Sequence, residues 1–170
     1  MKKLALFYCT LVMGILSVQA QFPDHVQVLD IDLNSNKILQ GDLSEGRYID
    51  MRFGLRPALH CYTSAQKFFF NGHHVLYALE VPANTKILVE LNTVSDMSLY
   101  GYMIDASKFD IPPHVEVVSK MGCTSSMQPM GQPDRIMMKA GTVATHVIFA
   151  VCGIEEANKG AFTLKITTRS

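Results

Sequence analysis

Apolar and polar residues alternate with period two along most of the chain from residue 74 to residue 167, and this pattern constrains the fold more than any other feature. The alternating apolar positions are Val75, Tyr77, Leu79 and Val81; Ile87, Val89 and Leu91; Met97, Leu99 and Met103; Ile136 and Met138; Val147, Phe149 and Val151; and Phe162, Leu164 and Ile166. Successive side chains of a β-strand point to opposite faces, so each run predicts a strand with one buried face. No window of eleven or more residues shows a helical stripe. The sequence therefore predicts an all-β fold.

Turn signals separate these runs at intervals of about ten residues, which is typical of an antiparallel β-sandwich. Pro82-Ala83-Asn84 and Ala140-Gly141 are the clearest of them. Weaker patterns predict further strands at 25–33, 48–53 and 115–117, the first with a bulge. We expect residues 42–66 to hold a long loop, and residues 120–133 to form an exposed loop between two strands.

The first twenty residues have the features of a signal peptide. Lys2 and Lys3 precede an apolar stretch, and small residues at Val18 and Ala20 predict cleavage before Gln21. A membrane anchor is the alternative, but the apolar stretch is short for a hydrocarbon core of about 30 Å. The remaining residues, 21–170, are expected to form a single domain. No second apolar run approaches spanning length, so we expect a secreted or periplasmic protein without a membrane span after cleavage.

The charge balance excludes nucleic acid as an expected partner. The chain has 15 Lys and Arg against 15 Asp and Glu, a formal net charge of zero. Removal of Lys2 and Lys3 leaves 13 cations against 15 anions, whereas phosphate binding requires a basic excess. A hydrophobic content of 48% also excludes a disordered protein.

Three cysteines remain after residue 20, namely Cys61, Cys123 and Cys152. In an oxidising compartment they permit one disulfide and one free thiol, and the sequence does not choose among the three pairings. Free buried thiols are an equally good interpretation, because a domain of this size needs no covalent staple.

Three groups of residues are candidate metal ligands. They are His60, His73 and His74; Met121, Cys123, Met127 and Met130 with Met137 and Met138; and Asp96, Asp105 and Asp110. The first group would suit zinc, the second Cu(I) and the third calcium. Neighbouring strand residues point to opposite faces, so His73 and His74 would chelate together only if the turn at Asn71-Gly72 bends them. Solvent-exposed turn histidines are the alternative.

No catalytic or cofactor-binding motif occurs in the sequence. It lacks a nucleophile elbow, a zincin motif, a phosphate-binding glycine loop and a dinucleotide fingerprint. We therefore expect no enzyme activity and no cofactor. Tyr100 and Tyr102 share one face of a predicted strand, and on an exposed face they would form a flat platform for a sugar or peptide. A covered outer face is the alternative.

Several segments resemble motifs of the bacterial pre-peptidase C-terminal domains. Residues 77–91 are similar to an aromatic strand, a Val-Pro-Ala-Gly turn and an alternating strand of that family. Residues 96–102 resemble its Asp-Ala-Asp-Leu-Tyr-Leu-Tyr strand, and residues 160–167 resemble its closing strand. Ser98, Gly101 and Asn84 depart from the motifs. The resemblance covers roughly residues 26–168 and is clearest from residue 74 onward.

This resemblance implies an antiparallel, jelly-roll-like β-sandwich of about eight or nine strands. Such domains are non-catalytic, and some bind matrix polymers or calcium. The substitution of Asp by Ser98 weakens any calcium site carried over to Asp96.

The leading hypothesis from the sequence is a secreted or periplasmic, non-catalytic binding or accessory protein whose partner is a protein or a polymer such as a polysaccharide. An exported metal-binding protein for zinc, copper or calcium is the alternative. An exported enzyme with a dispersed active site would require a deep polar cleft with perturbed acids.

Overall fold

The computed structural model describes residues 22–49, 69–105, 123–129, 131–156 and 159–170. Within these ranges the chain forms ten strands and a short 3-10 turn at Leu43–Glu45. The strands are β1 Val26–Val28, β2 Asn36–Asp42, β3 Arg47–Tyr48, β4 His73–Val81, β5 Lys86–Thr93, β6 Met97–Asp105, β7 Cys123–Ser126, β8 Asp134–Lys139, β9 Thr145–Gly153 and β10 Ala161–Arg169. None of the described residues belongs to a helix with the length and apolar character needed to cross a bilayer.

The strands form two sheets. The larger sheet has the order β1-β4-β9-β6-β7, with β3 also paired to β4, and the smaller sheet has the order β2-β10-β5-β8. All pairs are antiparallel except β1 with β4, which is parallel. Without β1 and β3, the other eight strands make two four-stranded sheets whose connections cross repeatedly from one sheet to the other, as in a jelly roll. The predicted all-β, jelly-roll-like sandwich is confirmed.

The inner faces of the two sheets enclose the main hydrophobic core. Its members include the alternating apolar residues predicted above, such as Tyr77, Phe149 and Leu164, each at most 1% exposed. Gly101 lies on the inner face of β6, where an added Cβ would come within 2.8 Å of the Ile136 side chain. The absence of a side chain there lets β8 pack closely against β6.

The turn between β4 and β5 explains one departure from the family motif. Asn84 has φ +62, a left-handed conformation that glycine and asparagine adopt more readily than other residues. Its backbone N–H donates to the carbonyl of Gly141 at 2.7 Å. Asn84 can therefore occupy a position where the family usually has glycine.

The outer face of the larger sheet is also buried. Leu76, Tyr100 and Ile148 belong to a second hydrophobic cluster on this face, against which Ile49 and Phe70 pack. Every residue of β9 is buried as a result. Among the described strands, an extensive solvent-facing sheet surface is therefore found on the smaller sheet.

Several predicted boundaries differ from the structure. Of the strand expected at 25–33 only Val26–Val28 is formed. Of the strand expected at 48–53 only residues 48–49 are described, and Tyr48 is the last residue of β3. The prediction of a loop throughout 120–133 is wrong at Cys123–Ser126, which form β7. The strand predicted at 115–117 lies outside the described residues.

The sequence pattern did not predict β2. Its inward positions are Lys37, Leu39 and Gly41, so the strand lacks a run of apolar residues on its inner side. The Lys37 ammonium donates to the backbone carbonyl of Asp30 at 2.7 Å, which satisfies the charged group at the sheet edge. An edge strand tolerates such a residue because one side of it is open to solvent.

Candidate functional site

A histidine, a cysteine and a tyrosine meet on the buried outer face of the larger sheet. The β4–β9 register places His74 opposite Cys152. Its Nε2 atom lies 3.3 Å from the Cys152 sulfur, and its Nδ1 atom lies 3.2 Å from the Tyr100 hydroxyl oxygen. The thiol also donates to the backbone carbonyl of Gly153 at 3.1 Å. A cysteine beside a histidine is the residue pair that thiol nucleophiles use.

The electrostatics of this cluster oppose a catalytic role. Burial lowers the pKa of His74 to about 4 and raises the pKa of the Cys152 thiol. Both groups are therefore neutral at pH 7, whereas a reactive cysteine has a depressed pKa and some exposure. His74 is 1% exposed and Cys152 is fully buried. The cluster joins β4 to the adjacent β9 through Cys152 and to β6 through Tyr100, as a packed structural element.

Tyr100 and Tyr102 do not form a solvent-exposed platform. Each is 1% exposed, and both belong to the second hydrophobic cluster. The ring of Phe70 packs edge-on against Tyr100 with a centroid distance of 5.8 Å. The expectation of an exposed platform is wrong, because the outer face of the larger sheet is covered.

The candidate metal ligands are not brought together in the described part of the chain. Those residues contain no group of three or more His, Cys, Asp and Glu side chains placed to hold an ion. His73 and His74 are consecutive in β4 and so point to opposite faces. Asp96 is exposed, in the turn before β6. His60 and Asp110 lie outside the described residues, as does the side chain of Asp105.

The methionine cluster proposed for copper is divided by the sandwich. Met137 is 66% exposed on the outer face of the smaller sheet, while Met138 is 5% exposed in the core. Met127 packs, half-buried, on the second hydrophobic cluster. Met121 and Met130 lie outside the described residues.

Cys152 is a free, buried thiol, which confirms the alternative to a disulfide for this residue. A pairing that includes Cys152 is therefore wrong. Cys61 lies outside the described residues, and the backbone of Cys123 pairs with Tyr102 in the β6–β7 ladder. For Cys61 and Cys123 both alternatives stay predictions, namely a disulfide between them or two free thiols.

A groove of about 420 Å³ at one end of the sandwich is lined by Asp96 and Asp134. One carboxylate oxygen of Asp134 accepts hydrogen bonds from the Ser126 hydroxyl at 2.8 Å and from the Gln128 backbone N–H at 2.7 Å. Burial raises the pKa of this carboxyl despite both bonds. Asp134 thus ties the segment after β7 to the start of β8. The hydrogen bonds of Asp134 therefore have a structural role at this end of the sandwich.

The outer face of the smaller sheet, here called the basic face, carries an excess of positive charge. It consists of the outward positions of β2, β10, β5 and β8. Its charged residues are five cations and two anions, namely Lys86, Arg135, Lys139, Lys165 and Arg169 against Asp42 and Glu90. The chain as a whole has a formal net charge of zero, so this excess is a local property of one face.

Three of these cations form a row across adjacent strands. The register pairs Arg169 with Lys86, and Lys86 with Lys139. Neighbouring strands are about 4.8 Å apart, so the row spans roughly 10 Å. None of the three makes an ion pair with a described residue. Like charges directly opposite each other destabilise a sheet, whereas opposite-charge pairs contribute roughly 0.2–1 kcal/mol.

The same row lines a pocket of about 480 Å³ on the basic face. Leu88, Met137 and Thr167 form its apolar and hydroxyl-bearing wall. A pocket of this kind can hold anionic groups against three ammonium and guanidinium groups, with an apolar group beside them. It is the strongest candidate binding site among the described residues.

Sequence reasoning missed the row because its members lie far apart in the chain. Lys86, Lys139 and Arg169 each stand at the end of a predicted strand, where a charge is unremarkable. Only the pairing order of the smaller sheet, β10-β5-β8, brings them together. The available signal was that each lies at an outward position of an alternating strand.

The strand order and the two sheets define a jelly-roll β-sandwich. Among solved structures, the chain is similar to the pre-peptidase C-terminal domain of a collagenase from Bacillus anthracis, with a TM-score of 0.39, 12% identity and coverage of 88% of this chain and 99% of that chain. It is also similar to PliG, a periplasmic inhibitor of g-type lysozyme. For PliG of Aeromonas hydrophila the TM-score is 0.46, with 8% identity and coverage of 85% and 97%.

For PliG of Salmonella Typhimurium the TM-score is 0.43, with 8% identity and coverage of 86% of this chain and 100% of that chain. The collagenase domain carries the name of the family whose motifs the sequence resembles. No protein-family model matches the chain, and no curated protein sequence matches it significantly. The fold class rests on the pairing of the strands themselves.

Proposed function

We propose that the protein is an exported, non-catalytic binding protein that holds an anionic partner on its basic face. The observation that carries the proposal is the row of Lys86, Lys139 and Arg169, three cations without a counter-ion among the described residues. Export is supported by the signal-like residues 1–20. Folding alone does not account for this row, because like charges that lie opposite each other on neighbouring strands lower the stability of a sheet.

The middle position of the row makes the proposal testable by one substitution. Lys86 faces a cation on each side, so Lys86→Glu converts two like-charge pairs into two opposite-charge pairs. Each new pair is expected to contribute roughly 0.2–1 kcal/mol to the sheet. The variant should therefore unfold at or above the wild-type temperature. It should nevertheless bind anions less well, because the row loses two units of positive charge.

Binding is measured on immobilised polyglutamate, polygalacturonate and polyphosphate at pH 7.5 and at two salt concentrations. We expect the wild-type chain to bind at least one polymer and to release it at higher salt. Arg47→Glu is the matched control, because Arg47 is exposed on β3 in the other sheet and undergoes the same change of charge. This control should bind as the wild type does.

Reduced binding by Lys86→Glu together with undiminished thermal stability supports the basic face as the binding site. Equal binding by the two variants contradicts the proposed site. Absence of binding to all three polymers contradicts the proposed function.

A further inference from the structure

The basic face carries apolar side chains between its cations. On β8, Met137 stands between Arg135 and Lys139 and is 66% exposed. On β5, the half-buried Leu88 lies directly opposite Met137 and two residues after Lys86. Strand residues two apart are about 6.6 Å apart, so each apolar side chain has a cation within one side-chain length.

The positive charge on this face is unevenly distributed. Glu90 accepts an ion-paired hydrogen bond from Arg135 at 2.7 Å and lies 3.6 Å from the Lys165 ammonium. These two cations are therefore partly neutralised within the face. The cations of the row are not, and they lie on the other side of Met137 and Leu88. A matching partner would place carboxylates over the row and an apolar group next to them.

This composition fits a polysaccharide poorly. Sugar rings are commonly held by stacking on aromatic side chains, and no outward position of β2, β5, β8 or β10 is aromatic. An acidic polysaccharide could neutralise the row, but it would leave Met137 and Leu88 facing polar hydroxyl groups.

The composition also fits a membrane surface poorly. Insertion into a bilayer interface requires an apolar face that can enter by roughly 5–10 Å. Met137 and Leu88 are surrounded by lysine and arginine side chains that reach further from the sheet than they do. Leu88 is in addition half-buried. Insertion would therefore carry charged groups into the hydrocarbon.

We infer that the basic face binds an acidic segment of a protein partner in which carboxylates flank an apolar side chain. The carboxylates meet Lys86, Lys139 and Arg169, and the apolar side chain packs on Met137 and Leu88. Exposed methionine and arginine are favoured in protein interfaces, and methionine adapts to differently shaped side chains. The inference rests on the proposed function and specifies the class of its partner.

Two matched peptides test this inference. The first is a twelve-residue peptide in which every second residue is Ser, and the residues between them repeat the order Glu, Leu, Glu. In the second peptide Ser replaces each Leu, so the charge is unchanged. Affinities for the full chain are measured by fluorescence anisotropy at pH 7.5, and oligogalacturonate and phosphatidylglycerol vesicles are measured in parallel.

We expect the Leu peptide to bind about tenfold or more tightly than the Ser peptide, since burial of one leucine is sufficient for such a difference. Met137→Gln should remove most of this preference, and Lys86→Glu should weaken both peptides. Val143→Gln is the matched control for the apolar change, because Val143 is 62% exposed and lies in the turn after β8. It should leave both affinities unchanged.

Three results overturn the inference while leaving the proposed function in place. They are equal binding of the two peptides, a Leu preference that survives Met137→Gln, and tighter Lys86-dependent binding of oligogalacturonate or vesicles. Failure of all four anionic probes to bind overturns both. Amide shifts of β5 and β8 on peptide addition support the inference, and shifts confined to other strands overturn it.

Discussion

The buried imidazole of His74 makes the stability of this protein sensitive to acid. Its ring is 1% exposed and lies between Cys152 and Tyr100. Desolvation is the main cause that lowers its pKa from 6.5 to about 4; a hydrogen bond with the backbone of Phe70 opposes the shift, and the neighbouring His73 adds to it. The folded state therefore holds the ring neutral at pH values where the unfolded chain binds a proton.

The sign and size of the effect follow from proton linkage. The unfolded state binds more protons between pH 6.5 and pH 4, so stability falls as pH decreases through this window and the effect is complete below it. A shift of this size corresponds to about 3 kcal/mol in total and to about 2 kcal/mol between pH 7.5 and pH 5. Above pH 6.5 the group has almost no effect.

The contribution of His74 is measured by urea unfolding at pH 7.5 and at pH 5. The wild type, His74→Gln and His73→Gln are compared. The quantity compared is the loss of unfolding free energy between pH 7.5 and pH 5, from which any constant destabilisation by a substitution cancels. We expect the loss to be about 2 kcal/mol smaller in His74→Gln than in the wild type. His73→Gln, altered at the half-buried neighbour, should keep nearly the full loss.

An NMR titration gives a direct check. The His74 ring protons should not shift between pH 7.5 and pH 5.5. A measured pKa above 6, or the same acid-induced loss in His74→Gln as in the wild type, would refute the argument that burial holds the ring neutral.

Three further predictions concern packing and thiol reactivity. Leu164→Ala should cost about 2–5 kcal/mol in urea unfolding, whereas Lys165→Ala next to it should change stability by less than about 1 kcal/mol; similar values for both would show that the faces of β10 are reversed. Gly72→Ala should cost about 1–3 kcal/mol, because its Cβ would lie 2.5 and 2.6 Å from two backbone carbonyl oxygens. Gly141→Ala has open space and should be tolerated, so a larger thermal destabilisation of this control would contradict the packing argument. Cys152 should react with a thiol reagent only after unfolding, and peptide mass spectrometry showing labelling of the native chain would refute its burial.

The parts of the fold that the sequence predicts are those where one face of a strand meets a hydrophobic core. Tyr77, Phe149 and Leu164 alternate with neighbours that face the other way, and burial of one face fixes this pattern. In β2 a lysine and a glycine occupy two of the three inward positions, so the pattern is lost although the strand is formed. Its pairing with β10 stabilises it instead, and such a long-range contact leaves no local signal.

The candidate site was less accessible to sequence reasoning than the fold. Tyr100 was recognised as an outward residue, but its burial depends on packing by distant residues such as Ile49 and Phe70. The cationic row depends on the register of three strands separated by about thirty to fifty residues in the chain. Local patterns indicate which way a side chain points, and the pairing of strands decides which side chains become neighbours.

The two edges of the smaller sheet carry an inward-directed charge each, Lys37 on β2 and Asp134 on β8. Each charge is held by the protein's own groups, Lys37 by a backbone carbonyl and Asp134 by Ser126 and Gln128. A strand from another molecule that extended the sheet would have to pair beside one of these charged residues and would disturb the hydrogen bonds that hold it. We therefore expect the chain to resist edge-to-edge polymerisation and aggregation at high concentration, even while the broad surface between the two edges stays open to contact.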